Sequence, residues 1–301
     1  EDLEMNTIFS LSLHTEQQIN IVRKWLGLAV ASLLAAGIFS LLLVLSRTPG
    51  VQSIIPWIDF FHVALVVHVD LSVLIWFLSM AACFWCLSHP GSGGKLDQFA
   101  WTISVLGTLI LVVCPFFGVG KPLLNNYVPV LQHPAFYIAL GVFCSGIFLQ
   151  AMSRVFKGVT FPFRAKDVLP FVIYLSIFPT LLAFVAVFIS YIAIPDLYQG
   201  EYYFELLFWA LYFIDEIDSA GYRLGFTALM TYGGLACLPL GLLAALNLFA
   251  LQPARPETKP LKAAFISSII LFTAGGVIGF LIEGVNVVIP AHYHGSIVGV
   301  T

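Results

Sequence analysis

Two histidines near the C-terminus, His292 and His294, have a residue type and a spacing that could do chemistry. They follow Pro290 at the start of an apolar run that we predict to be a membrane helix. An imidazole in hydrocarbon is costly without a partner, so histidines inside a membrane helix indicate a functional site. Successive helical residues are about 100° apart, so the two rings should point about 200° apart and serve two different sites. Such a helix would suit a position between two metal centres.

A third histidine, His68, lies in the apolar sequence between Phe61 and Trp76, in another predicted membrane helix. Both helices are expected to enter the membrane from the same side, which places all three histidines at depths that can meet. Neutral histidine is a standard ligand of haem iron, and imidazoles from two facing helices would form a six-coordinate, low-spin haem. Taken alone, His68 is more typical of an interfacial or hydrogen-bonded core histidine. His292 and His294 are expected at the same membrane depth on another helix, and this match favours the haem hypothesis.

The remaining polar candidates carry weaker signals. His62 is expected to face another way from His68 and to lie at the membrane surface. Three further histidines are expected in solvated tails or loops: His14, His89 and His133. Asp70 and Glu283 are the carboxylates closest to the histidine helices. They could orient an imidazole or neutralise a haem edge, or they could simply lie near the membrane surface, and both interpretations stay open.

The cysteines and one group of glycines are predicted to serve helix packing. All five cysteines lie in apolar stretches: Cys83, Cys86, Cys114, Cys144 and Cys237. The first two have the C-x-x-C spacing of redox or zinc sites, but the apolar context favours packing because free cysteine behaves as a small hydrophobic residue. Gly275, Gly276 and Gly279 are expected to let two helices approach closely.

The composition indicates a membrane protein. Of the 301 residues, 60% are hydrophobic and 10% are charged, whereas soluble domains have about 25% charged residues. The net charge of -3 gives no reason to expect a nucleic-acid partner, and the lipid bilayer is the expected environment. The first residues are polar and acidic, which is not typical of a cleavable signal peptide.

Hydropathy predicts an all-α, polytopic membrane helical bundle with about eight membrane helices plus a short apolar segment, because a span needs about 20 apolar residues. We treat residues 1–301 as a single transmembrane domain, with residues 1–22 as a cytoplasmic N-terminal segment. The predicted spans are 25–46, 58–87, 99–119, 134–156, 168–194, 224–251, 263–282 and a last helix that begins at Pro290. The apolar segment 202–214 is too short to cross.

The distribution of positive charge predicts the orientation. Lys and Arg residues fall mostly on one side of the predicted membrane, and by the positive-inside rule this side and the N-terminus are cytoplasmic. The same pattern requires that residues 202–218 add no net crossing. They are either a segment on the outer surface or the remnant of a helical hairpin.

Two motifs carry a resemblance to a known family. The sequence from His68 to Trp76, together with Pro290-Ala-His292-Tyr-His294-Gly, resembles the catalytic subunit I of the haem-copper oxidase superfamily, near the nitric oxide reductase and cbb3-type branches. The resemblance implies that His68 and His294 bind a low-spin haem and that His292 binds a catalytic high-spin haem. It also implies reduction of O2 or NO, cytochrome c or quinol as electron donor, other respiratory-complex subunits as partners, and a bacterial inner membrane or equivalent energy-transducing membrane.

One departure from this family concerns copper. The family binds copper, or non-haem iron, through histidines on its sixth and seventh helices, but this chain has no histidine between His133 and His292. Residues 205–209 resemble the start of the sixth helix and residues 210–218 the end of the seventh. We therefore expect a shortened subunit I that lacks much of both helices and whatever follows the start of the tenth, with no copper ligands.

Two alternatives from other classes remain. One is a haem-b electron-transfer or quinol-oxidising membrane protein without an oxygen-reducing centre. The other is a cofactor-free transporter, which would require paired intramembrane charges or broken helices; the sequence offers few of either.

Overall fold

The computed structural model describes residues 15–51, 60–117, 120–123, 129–158, 165–193, 259–282 and 288–300, with the single residues 11, 13, 221 and 256. The chain divides into two compact units, Glu1–Leu206 and Leu207–Thr301. Several predicted features lie outside the described residues: His14, Glu283, Cys237, the segment 202–218 and the span 224–251.

Most of the described residues in each unit are helical. In the first unit the helices are α1 (Glu16–Ser46), α2 (Phe60–Val69), α3 (Trp76–Leu87), α4 (Lys95–Val113), α5 (Pro134–Lys157), α6 (Ala165–Leu175) and α7 (Ile177–Ala193). A π-helical segment, Asp70–Ile75, joins α2 to α3, and a 3-10 turn, Cys114–Phe117, follows α4. Two short strands, β1 (Lys121–Leu123) and β2 (Val130–Gln132), pair antiparallel with Pro122 opposite Leu131. The second unit contributes α8 (Lys259–Gly279) and α9 (Val288–Val300).

Within the described residues, five helical stretches are long and apolar enough to cross a membrane. They are Glu16–Ser46, Phe60–Leu87, Lys95–Phe117, Pro134–Lys157 and Lys259–Gly279. This confirms the predicted α-helical membrane bundle. The helical stretch at the predicted span 168–194 is interrupted at Ser176, between α6 and α7. Pro179 explains the break, because it has no N–H to donate to the carbonyl of Leu175 four residues earlier.

Helix α1 begins well before its predicted start at Trp25. Thr15 caps it by accepting a hydrogen bond from the Gln18 backbone N–H at 3.1 Å, as N-terminal Thr residues commonly do. The buried Gln18 amide donates to the carbonyl oxygens of Cys86, Leu87 and His89, at 3.1–3.2 Å. Part of the predicted N-terminal segment is thus integral to the bundle. Hydropathy detects only the apolar part of a helix, so it missed these turns.

Small residues set the distance between α4 and α5. A Cβ atom at Gly107 would overlap the backbone of Phe143, and one at Gly146 would overlap Ser104. Close approach through such residues is the usual basis of helix packing in membranes. Cys83 and Cys86 are buried and free of disulfides, in agreement with their predicted packing role.

A buried ion pair ties these helices together at one end of the bundle. Asp97 in the first turn of α4 pairs with Arg154 in the last turn of α5, and both side chains are 1% exposed. The Asp97 carboxylate also accepts hydrogen bonds from the Gly93 backbone N–H, the Ser153 hydroxyl and the Gln150 amide. A buried charge needs such partners, and here they join α4, α5 and the loop before α4.

Candidate functional site

His68 lies at the end of α2 with its ring held against α1. Its Nδ1 atom is 2.8 Å from the carbonyl oxygen of Ala36. Because a carbonyl oxygen can only accept, Nδ1 carries the proton, and in a neutral ring Nε2 then has a free lone pair. Metal-binding histidines are held in this way, with the second ring nitrogen donating to a carbonyl or carboxylate. The local structure therefore presents Nε2 of His68 as a possible ligand.

The π-helical segment begins two residues after His68. Within it, Ser72 donates its hydroxyl hydrogen to the His68 carbonyl oxygen at 2.8 Å. At its end, the Trp76 N–H bonds to the carbonyl of Leu71, five residues back. Single π-helical turns inside α-helices occur frequently at functional sites. The sequence carries no proline or glycine here, so we could not predict this turn.

Asp70 is the first residue of this segment and is fully buried, at 0% exposure. None of the described residues donates a hydrogen bond to either carboxyl oxygen. The ring of His68 is oriented by Ala36, not by Asp70. That Asp70 neutralises a haem edge, or lies at the depth of the membrane surface, stays a prediction.

His292 in α9 repeats the arrangement of His68. Its Nδ1 atom lies 2.7 Å from the carbonyl oxygen of Gly275 in α8. A Cβ atom at Gly279 would come within 2.7 Å of the same ring, so only glycine leaves room for it there. The predicted close approach is confirmed for Gly275 and Gly279, whereas a Cβ at Gly276 would meet nothing within 4 Å.

Glycine spacing on both helices creates this contact. Gly275 and Gly279 in α8 form one G-x-x-x-G pattern, and Gly295 and Gly299 in α9 form another. Added Cβ atoms at Gly295 and Gly299 would collide with Gly275 and Phe272 of α8. Two such patterns facing each other let backbones touch. Sequence reasoning identified only the first of them.

His294 lies two positions further along α9, on the exposed side of that helix. Thus His292 contacts α8 while His294 leaves the helix in another direction. His68 belongs to the first unit, and His292 and His294 belong to the second. Within the described residues, no group of three His, Cys, Asp or Glu side chains could hold a metal ion; a haem iron takes at most two ligands from the protein.

His89 and His133 have structural roles that sequence reasoning missed. The Nδ1 atom of each accepts a hydrogen bond from a backbone N–H two residues later, at 3.1 Å: Gly91 for His89 and Ala135 for His133. A proline follows each histidine, which favours the extended backbone that this turn requires. Partial burial and the positive charges of Arg154 and Lys157 lower the pKa of His89 below its usual range. The His-Pro dipeptides in the sequence are the signal from which these turns could have been predicted.

The chain resembles two other proteins over most of its length. It is 24% identical to an uncharacterized protein of Aquifex aeolicus (strain VF5), across 90% of this chain and 79% of that protein. It is 26% identical to the uncharacterized protein RP382 of Rickettsia prowazekii (strain Madrid E), across 94% of this chain and 76% of that protein. These alignments extend over 315 and 395 residues, more than the 301 residues of this chain. No family model and no solved structure matches the chain.

Proposed function

We propose that this chain is a haem-binding membrane protein that resembles subunit I of the haem-copper oxidases. His68 and His294 would bind a low-spin haem, and His292 a high-spin haem where O2 or NO is reduced. Cytochrome c or quinol would donate electrons, and other respiratory subunits would be partners. The membrane would be a bacterial inner membrane or an equivalent energy-transducing membrane, with the N-terminus cytoplasmic.

The observation that carries this proposal is a contrast between histidines. In His89 and His133 the Nδ1 atom accepts a backbone hydrogen bond, so Nε2 carries the proton of the neutral ring and cannot bind a metal. In His68 and His292 the Nδ1 atom faces a carbonyl, so Nε2 keeps its lone pair. Two of the three histidines that the family motif selects, His68 and His292, therefore have the tautomer that a metal ligand requires.

The protein's own contribution would be to hold and orient these rings. The Ala36 carbonyl fixes the ring plane of His68, and the Gly275 carbonyl fixes that of His292. Such hydrogen bonds also raise the basicity of the coordinating nitrogen. A bound haem would supply the redox-active iron, with one or two histidines as axial ligands.

The lengths of the two alignments agree with a shortened chain. Each extends over more residues than this chain contains, so each relative has residues at positions where this chain has none. The loss of part of a helical hairpin, with residues 202–218 as its remnant, stays a prediction.

The lack of histidines between His133 and His292 in the sequence favours a second candidate. It is a haem-b electron-transfer or quinol-oxidising membrane protein without an oxygen-reducing centre. Histidine and sulfur ligands suit copper best, and the family takes its copper histidines from the part of the fold where this chain has none.

A reduced-minus-oxidised spectrum of the purified protein tests these candidates. We expect a low-spin haem signature that disappears in His68→Ala and in His294→Ala. It should persist in His62→Ala, a matched control on the same helix as His68. His292→Ala should abolish only carbon monoxide binding by a high-spin haem. A wild-type protein that binds no haem would contradict both haem candidates and favour a cofactor-free transporter.

A further inference from the structure

Lys24 is held in one position where α1 meets α4. Its Nζ atom donates a hydrogen bond to the Oε1 atom of Gln98 at 2.6 Å and lies 4.8 Å from the centre of the Trp101 ring. The Trp101 indole N–H in turn donates to the carbonyl oxygen of Lys24 at 2.9 Å. Ordering a lysine side chain costs rotamer entropy. Since the fold has already ordered this one, a ligand of its ammonium group binds without that cost.

The ammonium group lies at the depth where the apolar parts of two membrane spans begin. These spans are Glu16–Ser46 and Lys95–Phe117. The exposed large apolar side chains begin at Leu26 on α1 and at Leu96 on α4. Tryptophan, as at position 101, is enriched at this boundary between hydrocarbon and water. Lipid headgroups meet a membrane protein at the same depth.

Lys24 has hydrogen-bonding capacity to spare. Its ammonium group carries three N–H groups, and one of them is used by Gln98. Among the described residues, no acceptor bonds to the other two. The Gln98 side chain is neutral, and its amide nitrogen is directed to the Gly93 carbonyl oxygen, 3.5 Å away. The charge of Lys24 therefore remains available to an anion.

Two more cations lie close to Lys24. Arg23 precedes it in the chain, and Lys95 lies one turn before Gln98 on α4. Residues three apart on a helix are surface neighbours, so Lys95 lies beside the residue that Lys24 contacts. The side chains of Arg23 and Lys95 are both exposed. Together the three residues form a basic cluster at the ends of α1 and α4.

The described acidic residues nearby do not neutralise this cluster. Asp97 is buried and pairs with Arg154 and Lys157. Glu16 lies eight residues before Lys24, about 12 Å along α1. That separation exceeds the Debye length of about 8 Å at physiological salt. The local charge is thus positive.

We propose that Lys24, Gln98 and Trp101 form a surface site for the headgroup of an anionic phospholipid. The Lys24 ammonium group donates to the phosphate oxygens, Arg23 and Lys95 supply further positive charge, and the acyl chains lie along the exposed apolar faces of α1 and α4. Basic sites between membrane helices are known to bind anionic headgroups. The phosphate stays in the headgroup layer, so the site requires no cavity. It also requires no haem, so its failure would leave the proposed function untouched.

Native mass spectrometry of the detergent-purified chain tests the proposal, with phosphatidylglycerol, phosphatidylcholine and inorganic phosphate as separate probes. We expect one phosphatidylglycerol to be retained in preference to phosphatidylcholine. Lys24→Gln keeps a donor for Gln98 but removes the charge, and should weaken retention about fivefold, the effect of one cation near an anionic membrane surface. Trp101→Leu should also weaken retention, whereas Trp101→Phe, which keeps an aromatic ring beside Lys24, should weaken it less.

Lys259→Gln is the matched control, because it removes one exposed positive charge at the start of α8 and changes the net charge of the protein equally. It should retain phosphatidylglycerol as the wild type does. Equal weakening by Lys24→Gln and Lys259→Gln would assign retention to overall charge and overturn the proposal. Unchanged retention in Lys24→Gln, or equal retention of phosphatidylcholine, would overturn it too.

Inorganic phosphate that displaces the lipid at a similar concentration would overturn the assignment to a lipid and indicate a site for free phosphate. Arg23→Gln changes an exposed side chain, so we expect it to fold and to weaken retention. If Lys24→Gln does not fold, Arg23→Gln compared with Lys259→Gln decides the outcome in the same assay.

Discussion

The Nδ1 atom of His292 lies 2.7 Å from the carbonyl oxygen of Gly275 on the neighbouring helix. This contact exists because Gly279 leaves space for the imidazole, and because Gly275 lets the backbone at Gly295 and Ser296 approach α8 closely. It fixes the ring in one orientation and one tautomer. The position of His292 is thus decided by residues that carry no functional group of their own.

Gly279→Ala should disturb His292 specifically, because the new Cβ would come within 2.7 Å of the ring. We expect a loss of stability of about 1–3 kcal/mol from overpacking and, if haem is bound, a changed high-spin signature with an unchanged low-spin signature. Gly276→Ala is the matched control, since nothing lies within 4 Å of its added Cβ. Optical spectroscopy and thermal unfolding of both variants measure these effects. Identical spectra for the two variants would contradict the role of Gly279.

Asp97→Leu should destabilise the first unit strongly. It leaves the buried Arg154 guanidinium without its carboxylate, and removing one member of a buried ion pair costs about 3–5 kcal/mol. Thermal or denaturant unfolding in detergent measures the effect. A change within about 0.5 kcal/mol, the range of ordinary surface substitutions, would mean that the ion pair does not stabilise the fold.

Asp70→Leu should increase the stability of the protein, whereas Asp97→Leu should decrease it. Both substitutions replace an aspartate at an equally buried position. Asp70 has no hydrogen-bond partner among the described residues, so the substitution removes the cost of an unsatisfied buried group, about 1–3 kcal/mol. We expect a more stable protein in the same unfolding assay. A loss of stability comparable with that of Asp97→Leu would show that Asp70 has partners beyond the described residues.

Purified protein should contain far less than one copper per polypeptide. The sequence has no histidine between His133 and His292, and copper prefers imidazole or soft sulfur ligands. A high-spin haem at His292, if present, should then bind oxygen or carbon monoxide but reduce oxygen slowly. Metal analysis combined with an oxygen electrode checks this, and near-stoichiometric copper with rapid oxygen consumption would contradict it.

Much of the architecture was predictable because hydropathy depends on neighbouring residues in the chain. The predicted span 134–156 corresponds to α5, Pro134–Lys157, and the span 263–282 to the region of α8, Lys259–Gly279. Boundaries failed where helices continue beyond the apolar part, as at Glu16 in α1, or where a proline interrupts them, as at Pro179. Hydropathy reports neither a residue that caps a helix nor a proline that lacks a backbone N–H.

The sequence by itself determined the membrane class, the helical architecture, the histidine motif and the glycine spacing on α8. The tertiary structure decided which ring nitrogen is available in His68, His89, His133 and His292, and why Asp97 and Asp70 differ. Those properties depend on atoms supplied by other helices: the partner of His68 is Ala36, 32 positions away, and the partner of Asp97 is Arg154, 57 positions away. Hydrogen-bond partners at such separations are set by helix packing, and no local pattern of residues encodes them.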